Sequence, residues 1–401
     1  MKILLVVDDY MPHSIKVAAK MMHELACEMI DQGHQVSVLT PQSQQEKGLE
    51  ISFLDGVEVV SFKSGEIKNV SKVKRAINET LLSFYAWRYA KEYFLQNKFD
   101  YIVYYSPTIF FGLLVRRLKK LWGVKAYLVL RDIFPQWTID NNILSENSLI
   151  TKYFKFFEKI NYDVADTIGV MSQKNMVWFK NYYKTDKTIE VLYNWANITP
   201  VKNEDNRYRK KLGLEDKVVY FYGGNLGHAQ DMMNLVRLAK NMRNEIKAHF
   251  VFVGAGDEYE LIEESIKKEK LKNITLLPSV DQSEYKQMLA EFDMGLFTLN
   301  KYHKTHNFPG KLLGYMVQKL PILGSVNPDN DLKDLITDND AGYIYINGED
   351  DKLYKAAKKL LNRELRENMG MYANELLKKN FSVNSAVEQI LKVVKLEKIE
   401  G

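Results

Sequence analysis

Lys311 closes the stretch Pro309-Gly310-Lys311 and opens an apolar helical run that includes Leu312, Leu313, Met316 and Val317. A cation there, beside the free N–H groups of a helix's first turn, suits an anion such as a diphosphate. The alternative is a solvated lysine, although a cation at that end of a helix dipole is unfavourable unless an anion joins it. Two glycine-rich turns each follow an apolar run: Gly223-Gly224-Asn225-Leu226-Gly227-His228 after Val218 to Tyr222, and Gly254-Ala255-Gly256-Asp257-Glu258 after His249 to Val253. Glycines so placed allow close backbone approach to a phosphate, and they serve equally as ordinary turn residues. Neither turn completes G-x-G-x-x-G, which disfavours a dinucleotide dehydrogenase. In the first half of the chain, Asp132 directly follows the run AYLVLR. A carboxylate at a strand end could accept or orient a hydroxyl proton, cap a helix, or pair with Arg131.

Alternating strands and helices must position these residues. Ile3 to Val7 reads as a strand, Ile15 to Ile30 as a helix and Val36 to Leu39 as a strand; Tyr101 to Tyr105, Ile109 to Trp122 and Lys125 to Leu130 repeat the pattern. Thr167 to Met171 and Ile189 to Leu192 close that half. A charged stretch at 199–216 is expected to be a linker. After it come strands at Val218 to Tyr222, His249 to Val253, Ile274 to Leu277, Met294 to Thr298 and Pro321 to Leu323, with helices between them and an amphipathic helix from Ser382 to Lys395. This predicts an α/β protein with parallel sheets, domains at 1–198 and 217–381, and 382–401 returning to the first. In such sheets ligands bind beyond the carboxyl ends of the strands, so the cleft between two such domains is the expected site.

Composition narrows the class. At 401 residues with 46% hydrophobic and 27% charged, the chain suits two folded domains. The single cysteine, Cys27, excludes an internal disulfide, and no cysteine or histidine cluster suggests a metal. The opening MKILLVVDDYMP has an apolar run too short for a signal peptide or a membrane span, so a cytoplasmic location is expected. A net charge of +5 is too modest to imply nucleic acid.

Several motifs in order resemble glycosyltransferase family 4. These are Met1 to Pro12, His23-Glu24-Leu25-Ala26, Gly33-His34-Gln35-Val36, Arg131-Asp132-Ile133-Phe134-Pro135-Gln136, Ala165-Asp166 with Ser172, Asn194 in LYNWAN, then YGGNLG, FVGAGDE, LLPSV and the Lys311 stretch. The resemblance implies the GT-B fold, with two Rossmann-like domains, a UDP-sugar held mainly by the second, and no metal. Within the family the chain looks most like bacterial O-antigen and capsule enzymes, above all N-acetyl-L-fucosaminyl transferases. The resemblance assigns donor binding to Gly224, Asn225, Gly227, Gln230, Gly254, Gly256, Leu277, Pro278, Val280, His306, Asn307, Phe308, Gly310 and Lys311. Lys311 and Asp132 become the catalytic candidates. Asp9, His13 and Lys16, in the first loop, are candidate acceptor or phosphate contacts that could also be surface residues.

The departures matter as well. Where the family carries two glutamates, this chain has His306 and Gly314; where it carries an arginine and a lysine, Asn225 and Gln230 stand. Lys311 with the amides of Gly310 and Lys311 is then the remaining counter-charge for a diphosphate leaving group. Basic residues interleaved with aromatics in Ser71 to Phe94 and Phe110 to Gly123 suit an anionic bilayer, with Arg116, Arg117, Lys119, Lys120 and Trp122 as contacts. The alternative is a helix pair packed on the sheet with a solvated basic face. The expectation is a cytoplasmic enzyme, peripheral on the inner face of the plasma membrane, that moves an aminosugar from a UDP-sugar to a polyprenyl-diphosphate-linked glycan. A UDP-sugar epimerase of the same architecture and a nucleotide-sugar-binding scaffold without catalysis are the competing readings.

Overall fold

The computed structural model describes residues 1–14, 16–67, 70–140, 143–196, 198–203, 205–302 and 309–400. The chain divides into two compact units, residues 1–195 with 383–401 and residues 196–382. The first unit runs β1 (Lys2–Val6), α1 (Val17–Asp31), β2 (Gln35–Gln42), β3 (Leu49–Leu54), β4 (Val57–Lys63), α2 (Lys72–Thr80), α3 (Leu82–Gln96), β5 (Tyr101–Ser106), α4 (Gly112–Trp122), β6 (Lys125–Leu130), α5 (Gln136–Asp140), α6 (Leu149–Val164), β7 (Thr167–Val170), α7 (Gln173–Tyr182) and β8 (Thr188–Val191). The second runs α8 (Arg207–Leu212), β9 (Val218–Asn225), α9 (Met232–Asn241), β10 (Ala248–Ala255), α10 (Tyr259–Glu269), β11 (Ile274–Leu277), α11 (Gln282–Glu291), β12 (Met294–Thr298), α12 (Gly310–Val317), β13 (Ile322–Val326), α13 (Asp331–Thr337), β14 (Gly342–Ile346), α14 (Asp350–Lys359) and α15 (Arg363–Asn380). The last helix, α16 (Val383–Glu400), belongs to the first unit and packs against α1.

The first sheet has the order β3-β4-β2-β1-β5-β6-β7-β8 and is parallel except for β3. Each central strand is apolar on both faces and divides its residues between two cores. Leu4 and Val6 of β1 join α3 and α4 through Leu82, Ala86, Phe94, Leu114 and Leu118. Ile3 and Leu5 join α1 and α16 through Met22, Leu25, Ile390 and Leu391. The second sheet, β11-β10-β9-β12-β13-β14, is wholly parallel, with Tyr220, Tyr222, Phe250 and Phe252 facing α9 and α14.

Three sequence expectations change here. The hairpin β3–β4 is an addition: Leu49–Leu54 is a mostly exposed edge strand whose alternation carries no burial signal. Its turn, Asp55-Gly56, has φ of 48° and 80°, as a two-residue hairpin turn requires. Residues 199–216 lie within the second unit and carry α8, whose Tyr208 is buried. The basic helix α4 is not presented to a bilayer as a whole. Trp122 is 7% exposed and its indole N–H donates to the Phe94 carbonyl at 3.2 Å. Lys119 Nζ is 2.5 Å from Asp166 Oδ2 and 2.9 Å from the Val164 carbonyl, so its charge is spent inside the unit. Arg116, Arg117 and Lys120 stay exposed, Arg117 lying 4.5 Å over the Trp87 ring.

Helix α8 depends on a distant carboxylate. Asn206 takes up a left-handed conformation and does not cap the helix; Glu291, at the end of α11, accepts from the Tyr208 and Arg209 amides at 2.8 and 3.0 Å. Removing that acceptor leaves two donors with little water. Glu291→Ala should therefore lower stability by about 1–3 kcal/mol, and Glu291→Gln by less, in urea unfolding. Equal midpoints for Glu291→Ala and the unaltered protein would show that α8 is held by its apolar contacts alone.

Candidate active site

Both units gather their chemistry at the carboxyl ends of their strands. In the second, a pocket of about 510 Å³ opens over β9 and β10, lined among others by Gly223, Gly224, Asn225, Gly254, Val280, Gln282, Tyr285, Gly310 and Lys311. The glycines are there for space. A Cβ at Gly254 would lie 1.9 Å from the Gly224 carbonyl oxygen, and one at Gly223 would lie 2.3 Å from the Tyr285 ring. Gly224, with φ of +135°, leaves room for Lys311, whose Nζ would stand 3.1 Å from a Cβ there.

Lys311 is the one cation among the described lining residues. Its Nζ sits 3.8 Å from the centroid of the Tyr222 ring, and among the described residues no carboxylate is within ion-pair distance. Burial pulls its amine down from 10.5 to about 7, with no opposing charge to hold it up. Pro309 precedes the helix and offers no side-chain cap to the amides of the first turn. The structure thus presents a desolvated lysine and helix N–H groups to one pocket, the arrangement that accepts a phosphate.

The predicted donor residues divide around this pocket. Gly224, Asn225, Gly254, Val280, Gly310 and Lys311 line it. Gly227, Gln230, Gly256, Leu277 and Pro278 do not line it, although Gln230 reaches it by accepting from Asn225 Nδ2 at 2.8 Å. His306, Asn307 and Phe308 lie outside the described residues. The neutral Asn225–Gln230 pair occupies the positions where the family's two cations were expected. Gly314, in place of a carboxylate, faces α11 so closely that a Cβ would be 3.2 Å from Leu289 Cδ1. Tyr222, Gln282 and Tyr285 were not anticipated. Tyr222 ends the apolar run before the first glycine loop, and that position was the available signal.

In the first unit, parallel register brings the ends of β1, β5 and β6 side by side. Tyr105 is the next-to-last residue of β5, Asp8 follows β1, and Arg131 and Asp132 follow β6. Burial raises the Asp8 carboxyl to about 6, with repulsion from Asp9 adding to it, and burial raises the Asp132 carboxyl. Arg131 does not pair with Asp132. Its guanidinium turns inward, donating to the Tyr193 carbonyl at 3.2 Å and lying 5.4 Å over the Trp195 ring. Asp132 is left as a carboxylate at a strand end without an ion-pair partner among the described residues. Asp9 and Lys16 meet each other at 3.5 Å, and Ser14 donates to Asp9 at 2.7 Å. Asp8, Asp9 and His13 line a pocket of about 360 Å³ together with Thr40, Gln42 and Ser61; Lys16 is not among its lining residues. Asp8 and Tyr105 were missed because neither carries a motif and only the strand register brings them near Asp132.

The Lys311 amine has a measurable consequence. Its folded value of about 7 lies below the unfolded 10.5, so between the two the unfolded chain binds the proton that the folded chain has released. Stability should rise with pH through that window, being complete above the unfolded value and lost as pH falls through the folded one. Lys311→Met should abolish this component, seen as a smaller difference between urea midpoints measured at the two ends of the window. The same difference in both proteins would mean that the amine is solvated.

Comparison with known proteins follows the division into units. The model of Glycosyltransferase Family 4 matches residues 18–199, and that of Glycosyl transferases group 1 matches residues 204–376. WbjE of Pseudomonas aeruginosa, assigned as a glycosyltransferase, is 21% identical over 281 residues, 69% of this chain and 70% of its own. WcaI of Escherichia coli K12, assigned as a colanic acid biosynthesis glycosyl transferase, is 22% identical over 220 residues, 53% of this chain and 54% of its own. The Anabaena protein HepE, solved in complex with UDP, superposes with a TM-score of 0.67 at 15% identity, over 99% of this chain and 100% of that one. With a family 4 domain and a group 1 domain in succession, each on its own doubly wound sheet, the chain is a family 4 glycosyltransferase of the GT-B fold.

Proposed function

We propose that this glycosyltransferase moves an aminosugar, N-acetyl-L-fucosamine being the first candidate, from a UDP-sugar to a polyprenyl-diphosphate-linked glycan. The setting is O-antigen or capsule polysaccharide synthesis at the inner face of the plasma membrane. One observation carries the donor half: Lys311 is a desolvated cation with no acid partner among the described residues, in a glycine-walled pocket at a helix start. UDP bound to HepE and the colanic acid assignment of WcaI support the same reading. In the reaction the acceptor oxygen bonds to the anomeric carbon while the bond to the diphosphate breaks, its electron pair leaving with UDP. Lys311 and the first-turn amides of α12 stabilise that growing charge, a role that a metal fills elsewhere. Asp132 accepts or orients the proton of the acceptor hydroxyl. Asn225 and Gln230 contact the donor as neutral hydrogen-bonding groups, and Asp9 and His13 belong to the acceptor side.

Two measurements test this. Asp132→Asn should lower turnover by at least about a hundredfold, within the usual range for a positioned acid or base, while UDP affinity by calorimetry stays unchanged. Normal turnover in that variant would remove Asp132 from the chemistry. Transfer should also proceed undiminished in EDTA, because Lys311 supplies the charge. Activity that EDTA abolishes and manganese restores would overturn the metal-free mechanism. A protein that binds UDP but neither transfers nor hydrolyses any UDP-sugar would be the non-catalytic scaffold instead, and conversion of UDP-N-acetylglucosamine without acceptor would mark an epimerase.

A further inference from the structure

An outward apolar feature of the first unit is on α6, whereas the sequence expectation had placed lipid contact in Ser71 to Phe94 and Phe110 to Gly123, on α2, α3 and α4. Leu149, Ile150 and Phe156 are 84%, 56% and 60% exposed, and with Tyr153 they fall on one helix face. Helix α2 continues that face. It exposes Val73 and Ile77, and its Thr80 hydroxyl oxygen is 2.6 Å from the Tyr153 hydroxyl oxygen. Soluble proteins scatter exposed apolar side chains singly, so a joined set of this kind marks a contact surface.

Charge chooses the occupant. Helix α4 packs along α6 at Gly112, where a Cβ would lie 2.7 Å from Asn161 Cα, and it turns Arg116 and Lys120 outward. With Lys152 of α6, these cations have no carboxylate at ion-pair distance among the described residues. Lys155 and Lys159 are matched by Glu146 and Asp163, and Glu158 is turned inward, where it accepts from the Tyr182 hydroxyl at 3.1 Å. Lys152, three residues from Leu149 and four from Phe156, sets an unmatched cation beside the apolar face, and a face so charged complements an anionic lipid surface rather than a neutral one. No described helix is long and apolar enough to cross a membrane, so contact of this kind lies at the interface.

The same aromatic residues lead to the chemistry. The Phe156 ring is 5.3 Å from Phe157, Phe157 is 5.1 Å from Tyr153, Tyr153 is 5.5 Å from Phe154, and Phe154 is 4.9 Å from Phe134. Phe134 is two residues from Asp132. We propose that the outward faces of α2 and α6 seat the protein on an anionic bilayer and hold the Asp132 loop beside it, where a lipid-anchored acceptor arrives. This deepens the proposed function and rests on its acceptor being lipid-linked.

The test uses the full chain and two vesicle compositions, phosphatidylcholine alone and equal parts phosphatidylcholine and phosphatidylglycerol. The unaltered protein should sediment with the mixed vesicles and only weakly with the neutral ones. Leu149→Ser/Ile150→Ser/Phe156→Ser should reduce partition to mixed vesicles at least about tenfold, since three apolar side chains no longer leave water. Arg116→Gln/Lys120→Gln should reduce it at low salt and little at high salt. Thermal midpoints check folding. Should the α6 triple variant unfold, Val73→Ser/Ile77→Ser gives the same readout from α2, which buries no described side chain. Partition of the serine variants equal to the unaltered protein, or no binding of the unaltered protein to mixed vesicles, overturns the proposal. So does a serine variant that converts an oligomer to a monomer without changing partition, which would make the face a protein interface. UDP calorimetry on the same samples is independent of vesicles, so failure of the donor reading is seen separately.

Discussion

A lysine out of water with no acid beside it is an unstable arrangement, and among its described residues the second unit holds one. Burial alone lowers the Lys311 amine to about 7. The Tyr222 ring face offsets part of that cost, because a ring quadrupole attracts a cation without neutralising it. A carboxylate would have been the stronger partner, and it would also have cancelled the field that an anion needs. The pocket is therefore electrostatically incomplete by itself, and in the proposed reaction a diphosphate completes it. Its helix contributes in the same sense, since Pro309 leaves the first-turn amides without a side-chain cap.

The surrounding loops are constrained by how closely the backbones approach. Gly254 sits against the Gly224 carbonyl across the parallel register of β9 and β10, so neither loop can shift without the other. The link extends through the Glu258 amide donating to the Leu226 carbonyl at 2.9 Å and the Glu258 carboxylate accepting from the Met232 amide at 3.2 Å. In this rigid frame Asn225 and Gln230 satisfy one another. The family 4 expectation of several cations gives way, among the described residues, to one cation plus neutral donors, which concentrates the electrostatics of that lining on Lys311.

The first unit meets a comparable constraint by dividing neighbouring residues between the interior and the surface. Arg131 is buried, its own ionisation pulled down to about 10 by desolvation, and it holds the segment near Trp195. Asp132, the next residue, faces outward with its carboxyl raised by partial burial. Both residues follow β6, and the Tyr193 carbonyl and the Trp195 ring hold Arg131 inward. Parallel register of β1, β5 and β6 brings Tyr105 near both Asp8 and Asp132. On α6 the division is helical, with Thr151, Glu158 and Tyr162 inside and Leu149 and Phe156 outside.

Much of the architecture was legible in the chain itself. Runs such as Lys125 to Leu130 and Ile274 to Leu277 are apolar on both faces and short, and the strands fall where those runs are. Glycines after strands and the lysine behind Pro309-Gly310 were visible as local patterns with an ordinary turn or solvated reading beside the anion one, and several of them line a single pocket. The edge hairpin β3–β4 was hidden since its outer strand buries almost nothing, and the Asp55-Gly56 turn was its one local mark. What only the tertiary structure decided is which side chains share a space. Trp122 and Trp137 are both aromatic residues beside basic or polar ones, yet the first packs in the core and the second is exposed. Asp8 and Asp132 both come near Tyr105 through the register of three strands, and Lys311 loses its water to Tyr222 and Gly224, far away in the chain. Local patterns set the elements because backbone geometry repeats over a few residues; burial and charge pairing depend on neighbours that the sequence order does not contain.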